Sequence, residues 1–206
     1  PLLLLSGLCV TAVLCASGCA PRVGPQWAIA SGRVSEAGTD APLEEALVIL
    51  AGYERYTDSD GSFLIDPLEI PDEETQAYIT VSRDGYRTFD ETFSFQAPGD
   101  LRIRLDPVMN PATSGTLDGI VVNSETGEGI LAAEVTVQST SGAQIIDEQK
   151  AHTSRAGYWQ TSGVPIGSTR VQAVAEGFLP AAQDVEVQPG RYSNRLVRLE
   201  LTQGTS

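Results

Sequence analysis

Three observations predict an all-β chain built as two tandem antiparallel β-sandwich domains. Short runs such as "ALVILAG", "AYITVSR", "TFSFQ", "AEVTVQS" and "DVEVQ" often alternate and are rich in Val, Ile, Phe and Tyr. Clusters of Gly, Pro, Asp and Ser separate them, the pattern of half-buried strands joined by turns. The same ordered set of signals then occurs a second time along the chain. The 206 residues are enough for two small domains, and a 41% hydrophobic content supplies a core for each.

The chain opens on "PLLLLSGLCVTAVLCASGC", which carries no charge and contains all three cysteines, Cys9, Cys15 and Cys19. It is apolar over less than the about 20 residues a membrane-spanning helix needs. Residues 1–18 read instead as the hydrophobic part of a signal peptide, with the initiator methionine and charged start expected ahead of Pro1. "Ala16-Ser17-Gly18-Cys19" resembles the lipobox of bacterial lipoproteins, whose cysteine is acylated and becomes the new N-terminus. The resemblance implies a membrane anchor on Cys19. Ala20 follows, not Asp, which implies an outer-membrane address facing the periplasm or the cell exterior. An ordinary signal peptide, with Cys19 a bystander, is the alternative. After processing no internal disulfide is possible, so each domain must be stable by packing. Residues 19–29 hold two prolines and no apolar period, and read as the lipidated cysteine and a tether. Trp27 lies near the start of the folded part.

The first domain is expected over 30–108, a linker over 109–114 within "DPVMNPATSG", and the second domain over 115–203. "GRVSEAGTDAPLEEALVILAG" lies without a gap on "GIVVNSETGEGILAAEVTVQS", placing Gly32 on Gly119, Ala46 on Ala133 and Val48 on Val135. Gly61 then falls on Gly157 and Phe63 on Trp159, with a longer loop in the second copy. Pro71 falls on Pro165, Gly85 on Gly177 and Tyr86 on Phe178. "LRIRL" and "RLVRLEL" close the two copies. "PLEEAL" is too short for an independent helix and reads as the lead-in to a strand.

This order of signals, Gly-x-Val, Ala-x-Val, a Gly-containing turn before an aromatic, then Val-x-x-x-Gly-Tyr/Phe, resembles the carboxypeptidase regulatory-like domain of the transthyretin-like (prealbumin-like) group. Both copies resemble it, from about Ala30 to Asp106 and from about Gly115 to Leu201. The resemblance implies a prealbumin-like Greek-key sandwich acting as a non-catalytic accessory module. It is specific for fold and poor for function.

Candidate sites are few. Asp58 and Asp60 before Gly61 suggest a calcium loop, but calcium takes about six to eight oxygens. The second copy keeps Gly157 and Trp159 with Ala156 in place of Asp60, so the turn does not need the acids, and a hairpin is the simpler reading. No other cofactor is indicated. Lys150 is the one lysine. Pilus and adhesin sandwiches form isopeptide crosslinks from a first-strand lysine, which the first copy lacks. His152 is the one histidine. It lies beside Thr153 and Ser154 in what reads as a polar loop, and a solvated side chain is expected. One histidine could supply a catalytic triad but not a typical zinc site, which wants several N or S ligands. Trp159, Phe63, Tyr86 and Phe178 recur between copies and read as core. Tyr53, Tyr56 and Tyr158 do not, and are the aromatics a glycan-binding face would draw on.

The formal charge is −14, from 13 basic and 27 acidic residues. That excludes a sizeable phosphate-binding face and nucleic acid as a partner. The expected function is a non-catalytic cell-envelope lipoprotein that presents two sandwiches to a protein or glycan. A carbohydrate-binding accessory module and a structural subunit of an envelope complex are the alternatives.

Overall fold

The computed structural model describes residues 26–70, 76–94, 102–110, 114–188 and 196–204. Every element among them is a strand, and no described helix is long and apolar enough to cross a membrane. The signal peptide, Cys19 and most of the expected tether lie outside the described residues.

The first half contains β1 (Gln26–Arg33), β2 (Ser35–Glu36), β3 (Leu47–Leu50), β4 (Tyr53–Tyr56), β5 (Ser62–Ile70), β6 (Gln76–Ser82), β7 (Phe89–Ser94), β8 (Arg102–Leu105) and β9 (Val108–Met109). The second contains β10 (Gly115–Asn123), β11 (Glu134–Ser141), β12 (Gln144–His152), β13 (Tyr158–Val164), β14 (Gly167–Val174), β15 (Ala181–Val187) and β16 (Val197–Leu201). Each half is a two-sheet sandwich of one design. A four-stranded sheet ordered β4-β3-β6-β7 faces a three-stranded sheet ordered β5-β1-β8. In the second half the orders are β12-β11-β14-β15 and β13-β10-β16. Pairing is antiparallel except where the first strand of each sandwich meets its last, β1 with β8 and β10 with β16, and in the short β2–β9 pair. Alternation in the sequence cannot reveal those parallel pairs, because both faces of a strand look the same whichever way its neighbour runs.

Each sandwich has its own core. Val34, Val48, Phe63, Ile65, Leu68 and Val81 fill the first, and Leu117, Val121, Val135, Trp159, Val171 and Leu199 the second. Tyr86 packs against the first core and Phe178 against the second. Burying this apolar surface is the main term holding each sandwich together.

Three segments differ from expectation. β1 begins at Gln26, inside the stretch read as tether, because Ala28 is buried in the first core and the strand pairs with β5 out to Gln26–Ile70. Met109, read as the first linker residue, is fully buried in the same core. The "polar loop" holding Lys150 and His152 is strand β12. The extra residues of the second copy do not make a loop; they lengthen the hairpin, from Leu47–Tyr56 in the first sandwich to Glu134–His152 in the second.

Candidate functional site

The turn holding Asp58 and Asp60 is common to both sandwiches, but it is not the hairpin expected: β4 pairs with β3 and β5 with β1, so the turn carries the chain from one sheet to the other. Gly61 N–H donates to Asp58 O at 2.8 Å and Asp58 N–H to Ser62 O at 2.9 Å; Gly157 to Ser154 and Ser154 to Tyr158 repeat these bonds at 2.9 and 2.8 Å. Gly61 and Gly157 both sit at φ 76°, where a side chain is strained. A Cβ on Gly61 would lie 2.5 Å from Val34 O, and one on Gly157 would strike Val121 O. The threonine before the turn is shared too. Thr57 Oγ1 donates to Leu43 O and accepts from Ala46 N–H, as Thr153 Oγ1 does with Ile130 O and Ala133 N–H. What the first copy adds is Asp60, whose Oδ1 accepts from Ser62 N–H at 3.0 Å. The Ser62 hydroxyl, and after it this backbone N–H, hold its carboxyl below the ordinary value of 3.8. Among the described residues no group of three or more His, Cys, Asp and Glu side chains is placed to hold a metal ion.

Several residues that differ between the copies meet where the two sandwiches touch. His152 is buried, not solvated as its polar neighbours suggested, at 6% exposure. It sits at the end of edge strand β12 and lies against the outer face of β6 and β7. Its Nδ1–H donates to Asp90 Oδ1 at 3.1 Å, and its backbone N–H donates to Thr80 Oγ1 at 3.1 Å. Thr80 Oγ1 in turn donates to the same Asp90 oxygen at 2.5 Å. The imidazole stacks on Tyr78.

The seam continues along both sandwiches. Ser82 Oγ donates to Gln160 Oε1 at 2.9 Å, and Thr88 and Ser162 exchange bonds, Ser162 N–H reaching Thr88 Oγ1 at 2.7 Å. Arg87 pairs with Asp147 at 2.7 Å, and Thr116 Oγ1 donates to Asp84 Oδ1. Arg155 N–H donates to Gly52 O at 2.9 Å, and its guanidinium meets Glu69 at 3.2 Å and lies 4.4 Å above the Tyr53 ring. The sequence carried one sign of this contact. β3 reads "LVIL" and is buried on both faces, whereas its counterpart β11 alternates. Leu47 and Ile49 sit opposite Ser82 and Thr80, on the face where the second sandwich lies.

The three tyrosines marked as ligand-facing are not brought together. Tyr53 is under Arg155, its hydroxyl accepting from Glu69 N–H at 3.4 Å. Tyr56, three positions along β4 and so on the other face, is exposed, and Tyr158 is half-buried in the second sandwich. Lys150 pairs with Glu134 across β11–β12 at 2.9 Å, which holds its ammonium pKa above the ordinary lysine value. Tyr86 donates to Glu36 Oε2 at 2.6 Å, and that bond raises its phenol pKa. Tyr78 is also at the junction, and the repeat comparison missed it because it precedes the aligned stretch. Two grooves flank it. One, about 280 Å³, has Glu69, Gln76, Tyr78, Leu131 and Arg155 on its walls. The other, about 530 Å³, has Tyr78, Leu131, Glu134, His152, Glu176 and Phe178.

A search of curated proteins finds no match. Among solved structures the chain is similar to a streptococcal ancillary pilin, at 12% identity over 87% of this chain and 63% of the pilin, with a TM-score of 0.36. It thus spans less than two thirds of that pilin. It is also similar to the shaft pilin SpaA of Lactobacillus rhamnosus GG, at 11% identity over 89% of this chain and 99% of that one, TM-score 0.33. The minor pilin GBS52 of Streptococcus agalactiae gives 14% identity, 87% and 97% coverage and a TM-score of 0.34. Likeness at this level carries no information on function. At the level of sequence family, residues 116–201, the second sandwich, match the carboxypeptidase regulatory-like domain.

Proposed function

We propose that the chain is a non-catalytic cell-envelope lipoprotein whose two sandwiches, both carboxypeptidase regulatory-like, form one rigid unit for contact with another protein. The observation that carries this reading is where the copy-specific residues go. Residues shared by the copies build turns and cores. Among those that differ, His152, Asp90 and Tyr78 are spent on the seam between sandwiches. The described contacts of His152 are to Asp90, Thr80 and Tyr78, and none of them supplies the arrangement of nucleophile and base that acyl transfer requires. The equal strand orders and the matched turn bonds support two copies of one domain. The lipobox at Cys19 and Ala20 after it support an outer-membrane anchor, which would supply membrane affinity that the −14 surface lacks. Intact mass of the membrane-extracted protein tests the anchor. Wild type should carry acyl mass on Cys19, and Cys19→Ser should not. Equal masses with no acyl group would overturn it.

A glycan-binding role is the second reading, favoured by the 280 Å³ groove. It sets the half-exposed Tyr78 ring beside Glu69, Gln76 and Arg155, an aromatic plane with hydrogen-bonding groups around it. Titration of a glycan panel followed by tyrosine fluorescence tests it. A response lost in Tyr78→Ala supports it, and no response across the panel removes it.

A further inference from the structure

The seam is not self-complementary. The first sandwich contributes β6 and β7, with Tyr78, Ser82 and Arg87. The second contributes β12 and β13, with His152 and Gln160. Because the seven strands of the two main sheets recur in the same order and in corresponding register, each sandwich owns both kinds of face. One of each is therefore left over: β14–β15 on the second sandwich, and β4–β5 on the first.

We infer that the chain associates head to tail with further copies of itself, the β4–β5 face of one copy seating on the β14–β15 face of the next. This rests on the module reading above and names the partner.

Register fixes which residues would meet. Glu134 is opposite both His152 and Val174, as Leu47 is opposite both Tyr56 and Ser82, so Tyr56 stands where His152 does and Val174 where Ser82 does. By the same correspondence Arg170 stands for Tyr78, Leu64 for Gln160 and Leu179 for Arg87. In the existing seam Tyr78 stacks on His152, and Ser82 bonds to Gln160. In the inferred one Arg170 meets Tyr56, a guanidinium on an aromatic ring, and Val174 meets Leu64, an apolar pair. Both members of each pair have changed together and stay matched.

The third contact changes consistently as well. Arg87 needs Asp147, which lies in the part of β12 that β4 lacks. At its position the second sandwich has Leu179, so no cation would be left unpaired. Tyr56, Leu64, Val174 and Leu179 are all exposed, at 58, 52, 43 and 57%, an apolar presence on two faces that a lone chain leaves in water. The two faces are different surfaces, so the contact is heterologous and does not close on itself, which makes chains of copies. Glu134 and Thr136 replace the buried Leu47 and Ile49, so this seam is the weaker of the two. The net charge opposes it, and salt should strengthen it by screening.

Sedimentation of the full chain, in enough detergent that no two chains share a micelle, tests this. Wild type should show species that grow with protein concentration and with salt. Leu64→Arg and Val174→Arg, both at exposed positions and checked for wild-type circular dichroism, should each be monomeric. Their equimolar mixture should form a one-to-one complex, since each retains the face the other lacks. A monomeric wild type, a single variant that still associates, or a mixture that stays monomeric would each overturn the inference. A negative result here removes only self-association: a module that contacts a different protein would still stand, and the acyl mass on Cys19 tests the anchor separately.

Discussion

The imidazole of His152 lies flat on the ring of Tyr78, the centroids 3.8 Å apart and the planes 9° from parallel. One residue belongs to the second sandwich and the other to the first. Under the stack, Asp90 Oδ1 accepts from both Thr80 Oγ1 and His152 Nδ1, while Thr80 Oγ1 accepts from the His152 amide. Neither sandwich can close this cycle alone. Separating them would expose Leu47 and Ile49 and leave Asp90 without its histidine donor.

Removing Asp90 should therefore act on both halves at once. Asp90→Ala strands the Thr80 hydroxyl and the His152 ring in a largely buried seam, at a cost of about 1–3 kcal/mol. His152→Ala loses the stack, about 0.5–1.5 kcal/mol beyond its buried area. The two should be non-additive by more than about 0.5 kcal/mol, because they share a bond. Urea unfolding of the two singles and the double measures this. Strict additivity would mean that the cycle does not couple the sandwiches.

Asp60 gives a pH signature confined to the first sandwich. Its folded pKa lies below 3.8 because Ser62 donates to it. A depressed carboxyl stabilises the fold above its unfolded pKa, and that contribution fades as pH falls through the lower folded value. Asp60→Ala should lose this contribution at neutral pH. It should then show a flatter fall in melting temperature below about pH 4 than wild type does. Parallel curves for the two proteins would show that the Ser62 bond is not what shifts the group.

The core and the turns could be read from the chain because the fold uses residues twice. Gly61 with Gly157 and Phe63 with Trp159 recur, and a residue kept in both copies is there for a need common to both. The seam could not be read that way. Tyr78, Asp90 and His152 have no counterparts of their own kind, so comparing the copies makes them look incidental. His152 looked solvated because its neighbours Thr153 and Ser154 are polar. Those two can be buried because their polar atoms are bonded, Thr153 Oγ1 across to Ile130 O and Ala133 N–H just ahead of β11, and Ser154 N–H within the turn to Tyr158 O. The continuous apolar run of β3 was the one local sign that the outer sheet of the first sandwich is covered.

Asp118 works against the fold. It sits on the central strand β10 opposite Gln160, and burial raises its carboxyl above the ordinary aspartate value. An acid with a raised folded pKa destabilises the fold while ionised and stops doing so as pH falls and it takes up a proton. Asp118→Asn should raise the melting temperature at pH 7 and lose that advantage at pH 4. A lower melting temperature at pH 7 would show that the charge has a favourable partner.

Trp159 tests whether the two cores are interchangeable. The indole is fully buried on Gly119, whose missing Cβ leaves room for it, and Phe63 uses Gly32 in the same way. Trp159 Nε1 has no hydrogen-bond partner among the described residues, so Phe would remove an unsatisfied donor while opening a small cavity. Those effects oppose one another, and Trp159→Phe should cost under about 1.5 kcal/mol, against about 3–5 kcal/mol for Trp159→Ala. Gly119→Ala should be severe, since the new methyl would meet the ring at 2.7 Å and strike Val197 O. The residual fluorescence of Trp159→Phe comes from Trp27, which is 50% exposed, and should be quenched by acrylamide more readily than wild type. If Trp159→Phe costs as much as Trp159→Ala, the second core requires the indole itself, and the two sandwiches share a topology without sharing a core.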